Sequence, residues 1–167
     1  VEIEYANGKK EIITTDASWK AATGAVLEAD ILNGETYNAL LEPVGWDRPG
    51  FTDAGWQHVQ LFPEKASLPL QLYPGNPVKV IEAITPAEIR EKAGKYIVDM
   101  GQNFSGVVKL HVKGERGDTV VIRYGEMLHI DGTVMTENLR RARATDTYIL
   151  KGDPAGETWM PRFTYHG

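Results

Sequence analysis

The chain has 167 residues, 42% of them hydrophobic, enough to bury a core in one ordinary domain or two small ones. Eighteen Lys and Arg against 23 Asp and Glu give a net charge of −5 with the signs mixed along the chain, which excludes the basic stripe of a nucleic-acid surface. With no cysteine, disulfides, thiolate catalysis and cysteine-ligated zinc or iron–sulfur centres are excluded as well, and no apolar run approaches membrane-spanning length.

In chain order, VEIEYANGKKEIITT reads as a hairpin, with Val1, Ile3 and Tyr5 on one face and an Asn-Gly turn between its arms. The segment from Ala17 to Ala25 lacks helical spacing and is interrupted by Gly24, so strand and loop are expected there. GWDRPGFTDAGW carries Gly45, Pro49, Gly50 and Gly55 and is a loop, which Trp46, Phe51 and Trp56 are expected to pin onto a sandwich face. SLPLQLYPGNP is the linker, and PVKVIEAI after it is predicted as a strand. TPAEIREKAG gives the one helix signal: Thr85 as cap, Pro86 at the first helical position, Glu88 at capping-box spacing and Gly94 as terminator, with strand and turn as the competing reading.

From Tyr96 onward the period is two. Tyr96, Val98 and Met100 share a face, as do Val108, Leu110 and Val112, and again Val120, Ile122 and Tyr124. KGERGD joins the last two runs as a tight connection, so these six residues are expected inside one hairpin. HIDGT is another turn, ATDTYILKG a strand, GDPAGE its end, and TWMPRFTYHG opens the next strand. Short strands at regular spacing indicate an all-β, antiparallel sandwich or jelly roll. Val1 starts directly in a strand pattern with neither initiator methionine nor signal peptide, and the ends read as cut from something longer.

Candidate chemistry is sparse. No phosphate loop, dinucleotide fingerprint or zinc-protease helix is present. Ser105 lacks the strand–elbow–helix frame of a hydrolase nucleophile and reads as a loop hydroxyl. His58, His111, His129 and His166 show no metal-ligand spacing and read as surface or partner-bonded residues. Arg140, Arg141 and Arg143 read as a solvated connection rather than a phosphate site, and Glu126 and Glu137 as solvated or capping carboxylates.

GQNFSGVVKLHVKGERGDTVVIRYGEMLHIDGTVMTENLRRARATDTYILKG, with ETWMPRFTYHG after it, closely resembles the β-sandwich segment of bacterial α-L-rhamnosidases, and the stretch from Asp16 to Trp56 resembles the second half of that family's N-terminal sandwich. The resemblance implies a partial N-terminal sandwich over 1–69 and a concanavalin-like sandwich, without its final strand, over 70–167. It implies a glycosidase acting on terminal α-L-rhamnosyl residues, with its acidic catalytic residues in a downstream helical (α/α)6 barrel, so no catalytic residue and no metal ligand is carried over to this chain. By the same resemblance Gln102 and Asn103 bond neighbouring backbone.

In some members the N-terminal sandwich resembles a module that holds rhamnose through calcium. The matching stretch here, DILNGETYNALLEP, makes Asn33, Glu35 and Asn38 the candidate carbohydrate-binding residues. Asn38 stands where the family carries an aspartate and Leu40 where it carries an arginine, so structural packing is favoured over calcium. Three functions are carried forward: a non-catalytic accessory portion of a rhamnosidase, a calcium-dependent rhamnose-binding module, and a structural or interaction domain unrelated to sugar. The expected partners are the catalytic barrel, a rhamnose-containing glycoside and, through a bare sandwich edge, a second copy of the chain; nucleic acid and membrane are not expected. Bacterial cytoplasm, envelope and secretion stay equally open.

Overall fold

The computed structural model describes residues 1–62 and 71–167, and these form two compact units. The first comprises Val1–Thr23 and Pro43–Asn76, the second Gly24–Glu42 and Pro77–Gly167. The expected division at 69/70 falls outside the described residues.

In the first unit, Glu2–Glu4 pairs antiparallel with Lys10–Ile12. Gly8 takes the left-handed conformation that the turn between them requires, φ 79°. Ile3 is half-buried while Val1 is largely exposed, so one face of this hairpin is only partly covered. Lys20–Ala21 pairs antiparallel with Gln57–His58 and closes the glycine-rich loop between Pro43 and Trp56 at its base.

The second unit is built on a four-stranded sheet in the order Thr119–Arg123, Thr145–Ile149, Gly34–Asn38, Val26–Asp30. The outer pairs are antiparallel and the central pair, Thr145–Ile149 with Gly34–Asn38, is parallel. A parallel pair needs a long connection rather than a tight turn, which the separation of these segments in the chain supplies. Thr145–Ile149 alternates half-buried and buried, so Asp146 and Tyr148 point inward, followed by Leu150. Tyr148 stacks on Tyr37, its register partner across the parallel pair, at 5.9 Å, and on Trp159 at 5.2 Å. Ala39, Tyr148, Leu150 and Trp159 are the centre of the core, and Tyr37, Leu110, Val112 and Val120 pack against it.

Trp159 comes from Glu157–Trp159, which pairs antiparallel with Leu110–Val112 in a separate two-stranded sheet. The inward set Leu110, Val112, Val120 and Ile122 is therefore as the period predicts, with His111 and Val121 outside. Their arrangement is not a hairpin. Leu110–Val112 pairs with Glu157–Trp159, and Thr119–Arg123 pairs with Thr145–Ile149, so KGERGD turns a corner between two sheets. Its Glu115 and Gly117 N–H groups bond Asp118 and the Leu150 carbonyl instead of a hairpin partner.

Three further expectations fail for local reasons. Residues 85–94 form no helix: Glu88–Lys92 pairs antiparallel with Lys95–Asp99 around Ala93 and Gly94, both at positive φ, and five cross-strand partners replace two marginal helical turns. Tyr96 and Val98 do share a face, but it is the exposed one. PVKVIEAI forms no strand; Val78 and Ile81 are almost fully exposed, with no neighbouring strand among the described residues to complete a ladder. Gln102 and Asn103 are exposed and, among the described residues, their side chains make no hydrogen bond, so they do not bond neighbouring backbone.

Candidate functional site

The residues singled out by the sequence lie on the strand Gly34–Asn38 and the turn before it, beside Thr145–Ile149. Asp30 accepts the N–H groups of Leu32 and Asn33 and so shapes that turn. The Asn33 side-chain oxygen accepts the Arg143 N–H at 3.3 Å, and its carbonyl accepts the Thr145 N–H at 3.0 Å. Arg143 in turn pairs with Glu28. The Asn38 side chain caps the 3-10 turn Ala39–Leu41 by accepting the Leu40 N–H.

Glu35 is only 1% exposed. Its Oε2 accepts the backbone N–H groups of Arg162 and Phe163 at 2.9 and 3.0 Å, and its own N–H donates to Asp146 Oδ1 at 2.9 Å. Its second oxygen is buried without a hydrogen-bond partner among the described residues. Gly34 permits this approach: at φ +104°, a Cβ there would lie 2.1 Å from the Thr145 carbonyl oxygen.

Asp146 is the hub. It is fully buried; its Oδ2 accepts the Tyr124 hydroxyl at 2.7 Å, and His166 Nε2 lies 3.1 Å from Oδ1. The Tyr124 and His166 rings stack with centroids 4.0 Å apart. Burial, followed by the bond to the Asp146 carboxylate, pushes the Tyr124 hydroxyl well above its ordinary range, so it stays a donor. A second carboxylate, Glu157, accepts the Tyr148 hydroxyl and the N–H groups of Lys151, Gly152 and Asp153. Burial drives its carboxyl up, but these four donors together outweigh burial and hold it below the usual range.

By residue type, Asp146, His166 and Tyr124 could be acid–base machinery. By geometry they hold the fold. A general acid must reach substrate, whereas Asp146 and His166 are enclosed and their donors come from the chain itself. In the same region the side-chain oxygens of Asn38 and Asn33 and one oxygen of Glu35 accept backbone N–H groups, and among the described residues no group of three or more His, Cys, Asp or Glu is placed to hold a metal ion. His166 is therefore a partner-bonded residue, deeply buried. The sequence carried a signal for Asp146 in the inward period of TDTYIL, but not for its convergence with Glu35, 111 residues away.

Residues 1–82 match the α-L-rhamnosidase N-terminal domain, and residues 89–167 match the bacterial α-L-rhamnosidase concanavalin-like domain. All of the chain aligns with an α-L-rhamnosidase of Streptomyces avermitilis at 44% identity, over 16% of that protein, and with one of Formosa agariphila at 40%, over 18%. Among solved structures, the S. avermitilis α-L-rhamnosidase complexed with L-rhamnose superposes on 99% of the chain with a TM-score of 0.91, at 44% identity, over 16% of its own length. The native Aspergillus terreus enzyme does so with a TM-score of 0.87 at 36% identity, over 19% of its length. The chain thus spans less than a fifth of the length of these relatives.

Proposed function

The chain belongs to the bacterial α-L-rhamnosidase family, and from that premise we propose that it serves a longer enzyme as a non-catalytic accessory β-sandwich portion. The longer enzyme removes terminal α-L-rhamnosyl residues from glycosides. The observation that carries this reading is where the buried carboxylates point. Glu35, Asp146 and Glu157 all accept from N–H and O–H donors of the sandwich itself. Glycoside hydrolysis needs two carboxyl groups facing one bond, roughly 5 to 9.5 Å apart with a sugar between them. Groups sealed into a core cannot receive that sugar. Catalysis is then the task of the helical barrel, and this portion offers it a stiff, densely hydrogen-bonded neighbour.

The test is turnover of an aryl α-L-rhamnoside by the purified 167-residue chain. No hydrolysis above background is expected. Turnover that survives purification and disappears in Asp146→Asn would overturn the reading. Rhamnose binding that requires calcium and is lost in Asn38→Ala would instead make the stretch Asn33–Asn38 a calcium-dependent sugar module.

A further inference from the structure

Asparagine is followed by glycine twice in the chain, at Asn7-Gly8 and at Asn33-Gly34. The two pairs share their chemistry and differ in what holds them. We propose that Asn7 is a site of spontaneous deamidation, at which water converts the side-chain amide into an isoaspartyl or aspartyl carboxylate, and that the fold shields Asn33 from the same reaction.

The reaction needs no enzyme. The Gly8 nitrogen loses its proton to solvent and attacks Asn7 Cγ. The new N–Cγ bond closes a succinimide ring as the Cγ–Nδ2 bond breaks, and Nδ2 leaves as ammonia with a proton from water. Water then opens the ring. Addition at Cγ gives aspartate, and addition at the main-chain carbonyl carbon of residue 7 gives isoaspartate, whose backbone runs through the side-chain methylene. Nothing is oxidised or reduced. Glycine as the following residue presents no Cβ to hinder the attack.

Asn7 and Gly8 are exposed in the turn between Glu2–Glu4 and Lys10–Ile12. Asn7 Oδ1 accepts the Lys9 N–H at 3.0 Å, which folds the side-chain amide forward over the Gly8 peptide, the group that attacks it. The same N–H steadies the negative charge that gathers on Oδ1 as the nitrogen adds. One bond opposes the step: the Gly8 N–H donates to the Tyr5 carbonyl at 2.8 Å. That bond lasts as long as the hairpin does. Among the described residues Glu2–Glu4 has no strand partner other than Lys10–Ile12, and a two-stranded ribbon opens readily in water.

Asn33 sits in a different frame. It is half-buried, and Gly34 is buried. Its N–H donates to Asp30 Oδ1 at 2.7 Å, its side-chain oxygen accepts the Arg143 N–H, and its carbonyl accepts the Thr145 N–H. Gly34 pairs with Asp30 across the sheet and lies tight against the Thr145 carbonyl. Bringing the Gly34 nitrogen onto Asn33 Cγ would turn this peptide out of the sheet, so the reaction must wait for the strand to open.

Deamidation adds a negative charge to a hairpin that already carries Glu2, Glu4 and Glu11, and the isoaspartyl form also lengthens the turn by a methylene. Both changes loosen the two arms. The site is a record of chain age confined to the first unit, and it does not depend on where the rhamnosidase reaction is catalysed.

The test ages the 167-residue chain in mildly alkaline buffer, folded and in urea. The peptides carrying Asn7 and Asn33 are followed by mass spectrometry, and isoaspartate by methyl transfer from S-adenosylmethionine with an isoaspartyl methyltransferase. In the folded chain Asn7 should deamidate about tenfold faster than Asn33, or more. In urea the two rates should converge, because the fold is what separates them. Asn7→Gln should stay intact at that position with unchanged circular dichroism, since glutamine must close a larger ring. Equal rates in the folded chain, a faster Asn33, or a rate ratio that urea leaves unchanged would overturn the proposal.

Discussion

The Tyr148 hydroxyl donates to Glu157 Oε2 at 2.7 Å, although the two residues stand on strands of different sheets. One buried carboxylate thereby joins the layers of the second unit. The same carboxylate takes three backbone N–H groups and fixes the turn between the two strands. Glu157→Ala leaves these donors without an acceptor inside the fold, and a loss of about 3 kcal/mol is expected in urea denaturation. Glu157→Gln keeps one acceptor oxygen and should cost less. A loss below about 0.5 kcal/mol in the alanine variant would show that water replaces the carboxylate at no cost.

Acid should weaken the same joint. The Glu157 carboxyl is held below its ordinary value of 4.5 in the folded chain. A group depressed in the folded state contributes stability in full above its unfolded value, and that contribution drains away as pH falls through the folded value. Denaturation midpoints measured from pH 7 downward should therefore decline below about pH 5, and Glu157→Gln should decline less steeply. Parallel curves for the two proteins would remove Glu157 from the account.

Gly34 is the position least able to change. Its φ of +104° is strained for any side chain, and a Cβ would meet the Thr145 carbonyl oxygen at 2.1 Å. Gly34→Ala must separate Gly34–Asn38 from Thr145–Ile149, breaking the Glu35–Asp146 bond with it. We expect a loss of about 3 kcal/mol or more, visible as lowered soluble yield and early loss of near-ultraviolet dichroism. Wild-type stability would mean that the parallel pair can move apart without penalty.

The outer strand Thr119–Arg123 gives a test of register. Val121 is 61% exposed, while Val120 and Ile122 are half-buried. Val121→Thr should change stability by less than about 0.5 kcal/mol, and Ile122→Ala should cost about 2 kcal/mol. The reverse order would place the strand one residue out of register.

Much of this was legible in the sequence because it is local. The period of two over Val108–Val112 and Val120–Tyr124 names the inward residues whatever they pair with, since alternation is a property of one strand's pleat. The Asn7-Gly8 turn and the turn at Gly132 follow from backbone angles that favour glycine. The long ordered motifs of the second half carried the family. The helix signal at Thr85–Gly94 is local in the same sense, and here the competing strand and turn is what forms. Its capping signals are real, but a hairpin completed by Lys95–Asp99 offers more hydrogen bonds than two isolated helical turns can keep.

The all-β class, the faces of the strands and the family are thus written in the order of residues along the chain. Strand pairing is a property of the folded chain alone. Leu110–Val112 and Thr119–Arg123 are neighbours in the chain and partners of other strands in space. Glu35 and Asp146 form one buried polar joint across 111 residues. A strand's alternation fixes which side chains face inward but carries no information about which edge will satisfy its backbone. That choice is settled by the whole core, where the hydroxyls of Tyr124 and Tyr148 and the N–H groups of Glu35, Arg162 and Phe163 each require an acceptor before they can be buried.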